Sequence, residues 1–238
     1  DNSLPKAGLK ASQTLIGTGS SVTFESSSSQ NTEEVSWTLP GSSQESADGE
    51  SVTVTYDKAG VYDVTVTAKN KSGEDEKTYT GCILVTDDLA KDAELTLLSQ
   101  GKATEATAYV NENEAPPFAV DGDVKKKWCA TGTAPHELTI DLGAETTVSQ
   151  VGISHAEAGG EGADMNTKAY TISVSTDGAE YTPVVNITKN TAGTTLDTFA
   201  PVNARYVKLS VVKPTQGSDS AARIYEVQVY GSETPLAQ

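Results

Sequence analysis

The sequence predicts an all-β protein made of two sandwich domains in series. Three observations carry this. Short runs alternate apolar and polar side chains, as in Val61 to Ala68 (V-Y-D-V-T-V-T-A), which is the period-two signature of strands with one buried face. Clusters of Gly, Ser, Asn and Asp punctuate the runs, and no window with a helical period competes with them. The length of 238 residues accommodates one large or two ordinary domains.

Taken in order, residues 1–12 are polar with a proline and read as a lead-in or linker. The first domain then offers Val22-Thr23-Phe24, Val35 to Leu39, Val52 to Tyr56 and Val61 to Ala68, and a run from Lys77 to Val85 closes it. This spacing of β-branched segments is that of a sandwich. Thr86-Asp87-Asp88 ends it, and Leu89 to Leu98 reads as a short helical link. The domains are therefore assigned to 1–87 and 88–238. In the second, Glu137 to Leu142, Val148 to Ser154, Tyr170 to Ser175, Tyr181 to Ile187, Arg205 to Val212 and Ile224 to Tyr230 read as strands. Turn signals at Asp177-Gly178, Asn190, Gly193 and Pro214 to Asp219 separate them, as in a larger sandwich or jelly roll.

The formal net charge is −16, with a sequence pI of about 4.4. Residues 1–87 hold 13 acidic and 6 basic side chains, so the acidity is spread along the chain rather than gathered in a tail. Nucleic acids and anionic membrane surfaces call for basic patches, and neither is expected as a partner. No run approaches the roughly 18 apolar residues of a membrane span, so no membrane insertion is expected. Any secretion leader is expected to lie outside these residues. Cys82 and Cys129 are too few for a disulfide framework and read as small buried hydrophobes.

Two stretches carry family resemblances. Trp37 to Gly41 (W-T-L-P-G) followed by Val54 to Asn70 resembles a polycystic-kidney-disease-type (PKD) domain. That resemblance implies an immunoglobulin-like β-sandwich with Trp37 in its core, used as a spacer. In the second domain the series A-V-D-G-D-x-x-x-K-W, L-T-I-D-L-G, Y-x-I-x-V-S-x-D-G-x-x-Y, A-R-Y-V-K-L and R-I-Y-E-V-Q-V-Y-G is similar to the F5/8 type C, or discoidin-like, family. Its bacterial sugar-binding branch is carbohydrate-binding module family 32. The implied fold is a discoidin-like (galactose-binding-like) β-sandwich.

The second resemblance implies a structural calcium where the D-G-D loop meets the last strand. Asp121, Asp123 and Glu226 would supply carboxylates, and Phe118, Lys126 and Tyr225 backbone carbonyls. Lys126 stands where the family often has a hydroxyl residue. Calcium takes six to eight oxygens at a flexible site. Trp128 is expected to pack beneath that loop. His136 reads as a surface residue, Lys125-Lys126-Lys127 as a solvated turn, and Arg205 as structural.

The glycine-rich segment Ser154 to Lys168 is long for a sandwich connection, and long loops carry function. His155, Glu161 and Asn166 in it, with Arg223 before the last strand, are the expected sugar contacts. His155 and Asn166 match family positions. The loop itself contains no aromatic platform, with Phe118, Tyr109 and Tyr225 as outside candidates.

No G-x-S-x-G, no H-E-x-x-H and no Cys/His pair at a recognisable spacing occurs. The expectation is therefore no intrinsic enzyme activity. It is a non-catalytic sugar-binding and spacer region of a larger secreted bacterial glycoside hydrolase, extracellular or on the cell surface. Its partners would be host glycans ending in galactose or N-acetylhexosamines, and the parent catalytic domain of the same polypeptide. The alternative is a pair of structural or protein-interaction modules that order or display the catalytic domain without binding sugar.

Overall fold

A computed structural model describes residues 2–237. Its chain divides into two compact units, residues 1–94 with 198–201 and residues 95–197 with 202–238.

In the first unit the expected alternating runs all become strands. β1 (Leu9–Ala11), β2 (Leu15–Gly17), β3 (Ser21–Ser26), β4 (Glu34–Thr38), β5 (Ser46–Asp48), β6 (Ser51–Thr55), β7 (Gly60–Asn70) and β8 (Gly73–Thr86) follow in order. They form a three-stranded sheet, β1-β3-β6, and a five-stranded sheet, β2-β8-β7-β4-β5. The period-two pattern sends Val22 and Phe24, Val35 and Trp37, Val64 and Val66 into one core. Trp37 is 2% exposed, its ring 6.1 Å from Phe24, and its indole N–H donates to the Gly49 carbonyl at 2.8 Å. A buried indole with its one donor satisfied contributes its full apolar area without an orphaned polar group.

The lead-in is no loose end. Ala7 N–H donates to Asp75 Oδ2 at 2.7 Å, and β1 pairs with β3 from Leu9 opposite Ser26. Its polarity suits an edge strand. The segment 89–98 contains no helix: it is a series of turns, with Asp92 at φ 59°, ending in a two-residue strand.

That strand, β9 (Thr96–Leu97), opens the second unit. There follow β10 (Ala103–Ala106), β11 (Trp128–Ala130), β12 (His136–Ser154), β13 (Ala169–Ser175), β14 (Thr182–Ile187), β15 (Thr194–Lys213), β16 (Ala222–Ile224) and β17 (Glu226–Ser232). The main sheet runs β14-β13-β15-β12-β17-β9, β10 pairs with β12, and β11 and β16 make a separate ribbon. Two expected strands, 137–142 and 148–154, are one strand of 19 residues. Gly143, at φ 88°, supplies the backbone freedom inside it that another residue would adopt only with strain. The expected strand 224–230 is instead two, broken at Tyr225 between β16 and β17. The core gathers Leu138, Ile140, Val151, Ile153, Ile172, Leu209 and Val229, each 2% exposed or less. Both cysteines are buried and free. No helix among the described residues is long and apolar enough to cross a membrane.

Replacing Trp37 by alanine removes one of the largest buried side chains of its unit, so a loss of about 3–5 kcal/mol is expected in urea denaturation. A loss below about 1 kcal/mol would mean that the ring is not packed as described.

Candidate functional site: a polar cluster on the β11–β16 ribbon

The ribbon pairs Trp128 with Ile224, Cys129 with Arg223 and Ala130 with Ala222. Neighbouring residues on a strand face opposite ways, so Trp128, Ala130, Ala222 and Ile224 enter the core, each 0% exposed. Trp128 donates its indole N–H to the Ala108 carbonyl at 2.9 Å. The alternate positions, Lys127 and Cys129 on one side and Arg223 and Tyr225 on the other, fall on the second face.

Glu161, from the glycine-rich loop, is the centre of that face. Its Oε2 accepts from Lys127 Nζ at 2.9 Å and from the Tyr225 hydroxyl at 2.8 Å, and Arg223 Nε lies 3.3 Å from Oε1. Arg223 also reaches back to Asp219, Nη2 to Oδ2 at 3.0 Å, and Lys127 lies 3.6 Å from Glu114. The Lys127 ammonium stands 5.6 Å from the centre of the Tyr225 ring. Burial disfavours the Glu161 carboxylate, but hydrogen bonds from Lys127 and Tyr225 outweigh it and hold its pKa below the ordinary value. The Arg223 guanidinium is held above its ordinary value by Asp219, against the effect of burial. The side chains are 28% (Glu161), 17% (Lys127) and 14% (Arg223) exposed. They are held in place yet still reachable.

The loop is positioned by short-range packing. Gly159 lies under Tyr225, where a Cβ would come within 2.0 Å of the ring, so only glycine permits the approach. Two 3₁₀ turns, Ala156–Gly159 and Ala163–Met165, shape the loop, with Gly160 left-handed between them at φ 95°. Asn166 clamps it: its Oδ1 accepts from Glu157 N–H at 2.9 Å, and its Nδ2 donates to Glu157 Oε2 and to the Thr191 carbonyl. Gln216 Nε2 ties the Asn166 and Asn190 carbonyls together.

Of the four expected sugar contacts, the structure brings Glu161 and Arg223 together. His155 and Asn166 are both 0% exposed, so neither offers a surface to a solute. His155 Nε2 meets Thr195 Oγ1 at 2.9 Å, its ring lies 5.6 Å from Tyr170, and its Nδ1 is buried without a hydrogen-bond partner. Both side chains support the loop from beneath. His136 is likewise no surface residue, at 2% exposure with Nε2 2.8 Å from the Ser220 carbonyl. Lys127 belongs to the cluster rather than to a solvated turn. Lys127, Glu114 and Asp219 were not among the expected contacts, and Tyr225, an outside aromatic candidate, joins through its hydroxyl on Glu161. The alternation Lys127-x-Cys129 and Arg223-x-Tyr225 around two core residues was the signal for the ribbon pair. Arg205 is structural, as expected, holding Asp141 through Nε and Nη2 at 2.9 and 3.1 Å.

At the D-G-D loop, Glu226 is 4% exposed and its Oε1 accepts from the N–H groups of Gly122 at 2.9 Å and Asp123 at 3.2 Å. Burial, and then the hydrogen-bonded Asp121 carboxyl, push its pKa up to about 8. A buried Glu226 carboxyl touching the exposed Asp121 carboxyl is eased by a shared proton or by a cation between them. That oxygen chemistry suits a hard cation such as calcium. Asp123 is engaged instead by Lys125, whose N–H donates to its Oδ1 at 3.0 Å. The Lys126 ammonium lies 4.5 Å from the centre of the Phe118 ring. Among the described residues no three His, Cys, Asp or Glu side chains converge in metal-holding geometry.

Fold and ribbon together define the second unit as a discoidin-like β-sandwich. The chain belongs to the F5/8 type C domain family, whose model matches residues 100–227, and the PKD domain model matches residues 6–83 before it. Comparison with curated protein sequences gives no match. Among solved structures it is similar to the family 32 carbohydrate-binding module of Streptococcus pneumoniae EndoD, at 24% identity and TM-score 0.52, covering 58% of this chain and 100% of that one. Chitosan-binding module 2 of a Paenibacillus sp. IK-5 chitosanase/glucanase, solved with chitotriose, is 26% identical at TM-score 0.50, covering 56% and 99%. The family 32 module of Clostridium perfringens NanJ, solved with galactose, is 23% identical at TM-score 0.50, covering 57% and 98%.

Burial lowers the His155 pKa from 6.5 to about 4, which fixes a pH dependence. As pH falls, the unfolded chain takes up this proton first, so the contribution is fully present above about 6.5 and declines down to about 4. The loss is of order 3 kcal/mol. His155→Gln is expected to flatten that part of the stability–pH curve measured by urea denaturation. Parallel curves for the two proteins would show that His155 is not buried in the neutral form.

Proposed function

We propose that the second unit is a carbohydrate-binding module that takes terminal galactose or N-acetylhexosamine-type sugars at the Lys127–Glu161–Arg223–Tyr225 cluster. The observation that carries this reading is the cluster itself. Fixed donors and acceptors, one phenol ring and partial exposure are the ingredients by which a site distinguishes hydroxyl orientations. The galactose bound by the NanJ module supports the galactose half of that ligand class. In this reading His155 and Asn166 act through the loop they hold, and contact falls to Glu161 and Arg223.

The PKD-type unit serves as a spacer, and the whole is an accessory region of a larger secreted bacterial glycoside hydrolase acting on host glycans. The chitosan-binding module of the Paenibacillus chitosanase/glucanase, a module of the same fold carried by a carbohydrate-cleaving enzyme, supports this reading. Calcium at Asp121, Asp123 and Glu226, with carbonyls near Phe118, Lys126 and Tyr225, would supply charge neutralisation. It would thereby tie the D-G-D turn to β17.

Glycan-array binding to galactosides or N-acetylhexosaminides is expected, with calorimetry giving a weak monovalent affinity. Glu161→Ala and Arg223→Ala should each reduce it by roughly 10- to 100-fold, the equivalent of one charge-assisted hydrogen bond. Silence across both sugar classes, or unchanged binding in both variants, would remove the reading. For the metal, a chelator is expected to lower the melting temperature by roughly 5–10 °C in the calcium-loaded protein. Asp121→Asn should lose that response. A chelator without effect on calcium-loaded protein would dismiss the metal while leaving the sugar site standing.

A further inference from the structure

A second feature of the discoidin-like unit shares no residue with the cluster above. Thr104 of β10, Thr139 and Asp141 of β12, Tyr206 and Lys208 of β15 and Tyr181 line a groove of about 560 Å3. This volume falls within the range of small-molecule sites, ~300–1,000 Å3.

Its groups are arranged and not fully used. Tyr206 is half-buried and steadied by its neighbours: a Cβ on Gly178 would lie only 3.2 Å from its ring, and the Arg205 guanidinium stands 5.2 Å from the ring centre. Lys208 Nζ lies 3.9 Å from the centre of the Tyr181 ring. An ammonium has three donors and no acceptor, so Lys208 keeps donors beyond that contact. Asp141 takes Arg205 Nε and Gly143 N–H on Oδ1 and Arg205 Nη2 on Oδ2. A carboxylate has about four lone-pair positions, so one remains on Oδ2. Thr104 lines the groove with its backbone and methyl group, its Oγ1 being sealed from solvent.

Ring faces next to mixed donors and acceptors match the two sides of a pyranose, apolar C–H faces and an equatorial rim of hydroxyls. Charge narrows the ligand class. Arg205 neutralises Asp141, and Asp177 is satisfied by its own turn, accepting from Ala179 and Glu180 N–H at 2.8 and 2.9 Å. Lys208 then stands as one cation beside the Glu105 and Asp177 carboxylates that also line the groove, in a chain of net charge −16. Nothing in the groove offers an excess of cations to an acidic sugar.

We propose that this groove is a second carbohydrate-binding surface, taking an uncharged stretch of an oligosaccharide independently of the cluster around Glu161. The proposal goes beyond the reading above and does not depend on it. The test is amide NMR of the full chain titrated to millimolar concentrations with cellopentaose, N,N′-acetylated chitopentaose and galactotetraose. At least one probe is expected to move the amides of Thr104, Thr139, Asp141, Tyr181, Tyr206 and Lys208. Those shifts should persist in Arg223→Ala, which separates this site from the cluster. Tyr206→Ala and Lys208→Ala should each weaken the effect by about tenfold or more, and Tyr206→Phe should restore it, since the ring face is what stacks. Shifts confined to the Glu161 loop, or no shifts with any of the three probes, would overturn the proposal. The wild-type titration decides this alone if an alanine variant fails to fold.

Discussion

The second unit depends on how Trp128 and Ile224 face each other across a two-stranded ribbon. Both side chains are fully buried, so the ribbon cannot slip by one residue without exposing an indole and an isoleucine, and a one-residue slip would reverse every side chain. That constraint fixes what the opposite face shows. Lys127 and Tyr225, and Cys129 and Arg223, must project away from the core, and Glu161 can serve them all from a single loop. A hydrophobic requirement on one side thus determines a polar geometry on the other.

The cluster built on that face carries an electrostatic tension. Glu161 and Lys127 are only 28% and 17% exposed, and partial burial works against both charges. The pair persists because Tyr225 and Arg223 add hydrogen bonds to the same carboxylate. Ion pairs of this kind are weak evidence for stability, and an all-apolar face would hold the loop as well. What the charges add is direction: a carboxylate, an ammonium and a guanidinium whose positions are set before any ligand arrives. Pre-set groups lose little conformational freedom on binding. Buried Asn166 and His155 contribute to that order by removing freedom from the loop.

Much of this was legible from residues alone, and the failures have physical causes. The run Val61 to Ala68 announces its strand because one face is buried and the other wet. Glu137 to Ser154 did not announce a single strand, because Gly143 looks like a turn residue and its role inside a long strand depends on how the sheet bends. Tyr225 reads as one more strand residue, yet it interrupts the strand because its ring must settle over Gly159. Lys127 was hidden in a triple lysine, where only the fixed position of its neighbour Trp128 tells the inward-held amine from the solvated ones. His155 was read as a contact since polarity and loop position are visible in a sequence and burial is not. Glu161 and Arg223 stand out in the sequence as polar candidates, and their meeting does not, since 62 residues separate them in the chain and the ribbon register brings them together.

The same register bears on how strongly a single site can hold a sugar. The ring nearest the cluster, Tyr225, is 6% exposed, with Gly159 close to it and its hydroxyl committed to Glu161. It can present little apolar face to a pyranose, so recognition there falls mainly on charged hydrogen bonds. Each is worth about 1.5–3 kcal/mol net against water, from which the cost of immobilising the sugar is subtracted. A shallow polar site of this kind gives weak monovalent binding, and useful retention on a glycan surface then requires a second point of attachment. Were both proposed sites to bind, they would act on a common polymer at high effective concentration, provided their separation matches the spacing of its sugars. In the groove proposed above, Tyr181 and Tyr206 are half-buried and so keep more accessible ring surface than Tyr225. On the proposed reading the division is physical: selectivity would rest with the fixed charges of the cluster, and contact area with the half-buried tyrosines of the groove.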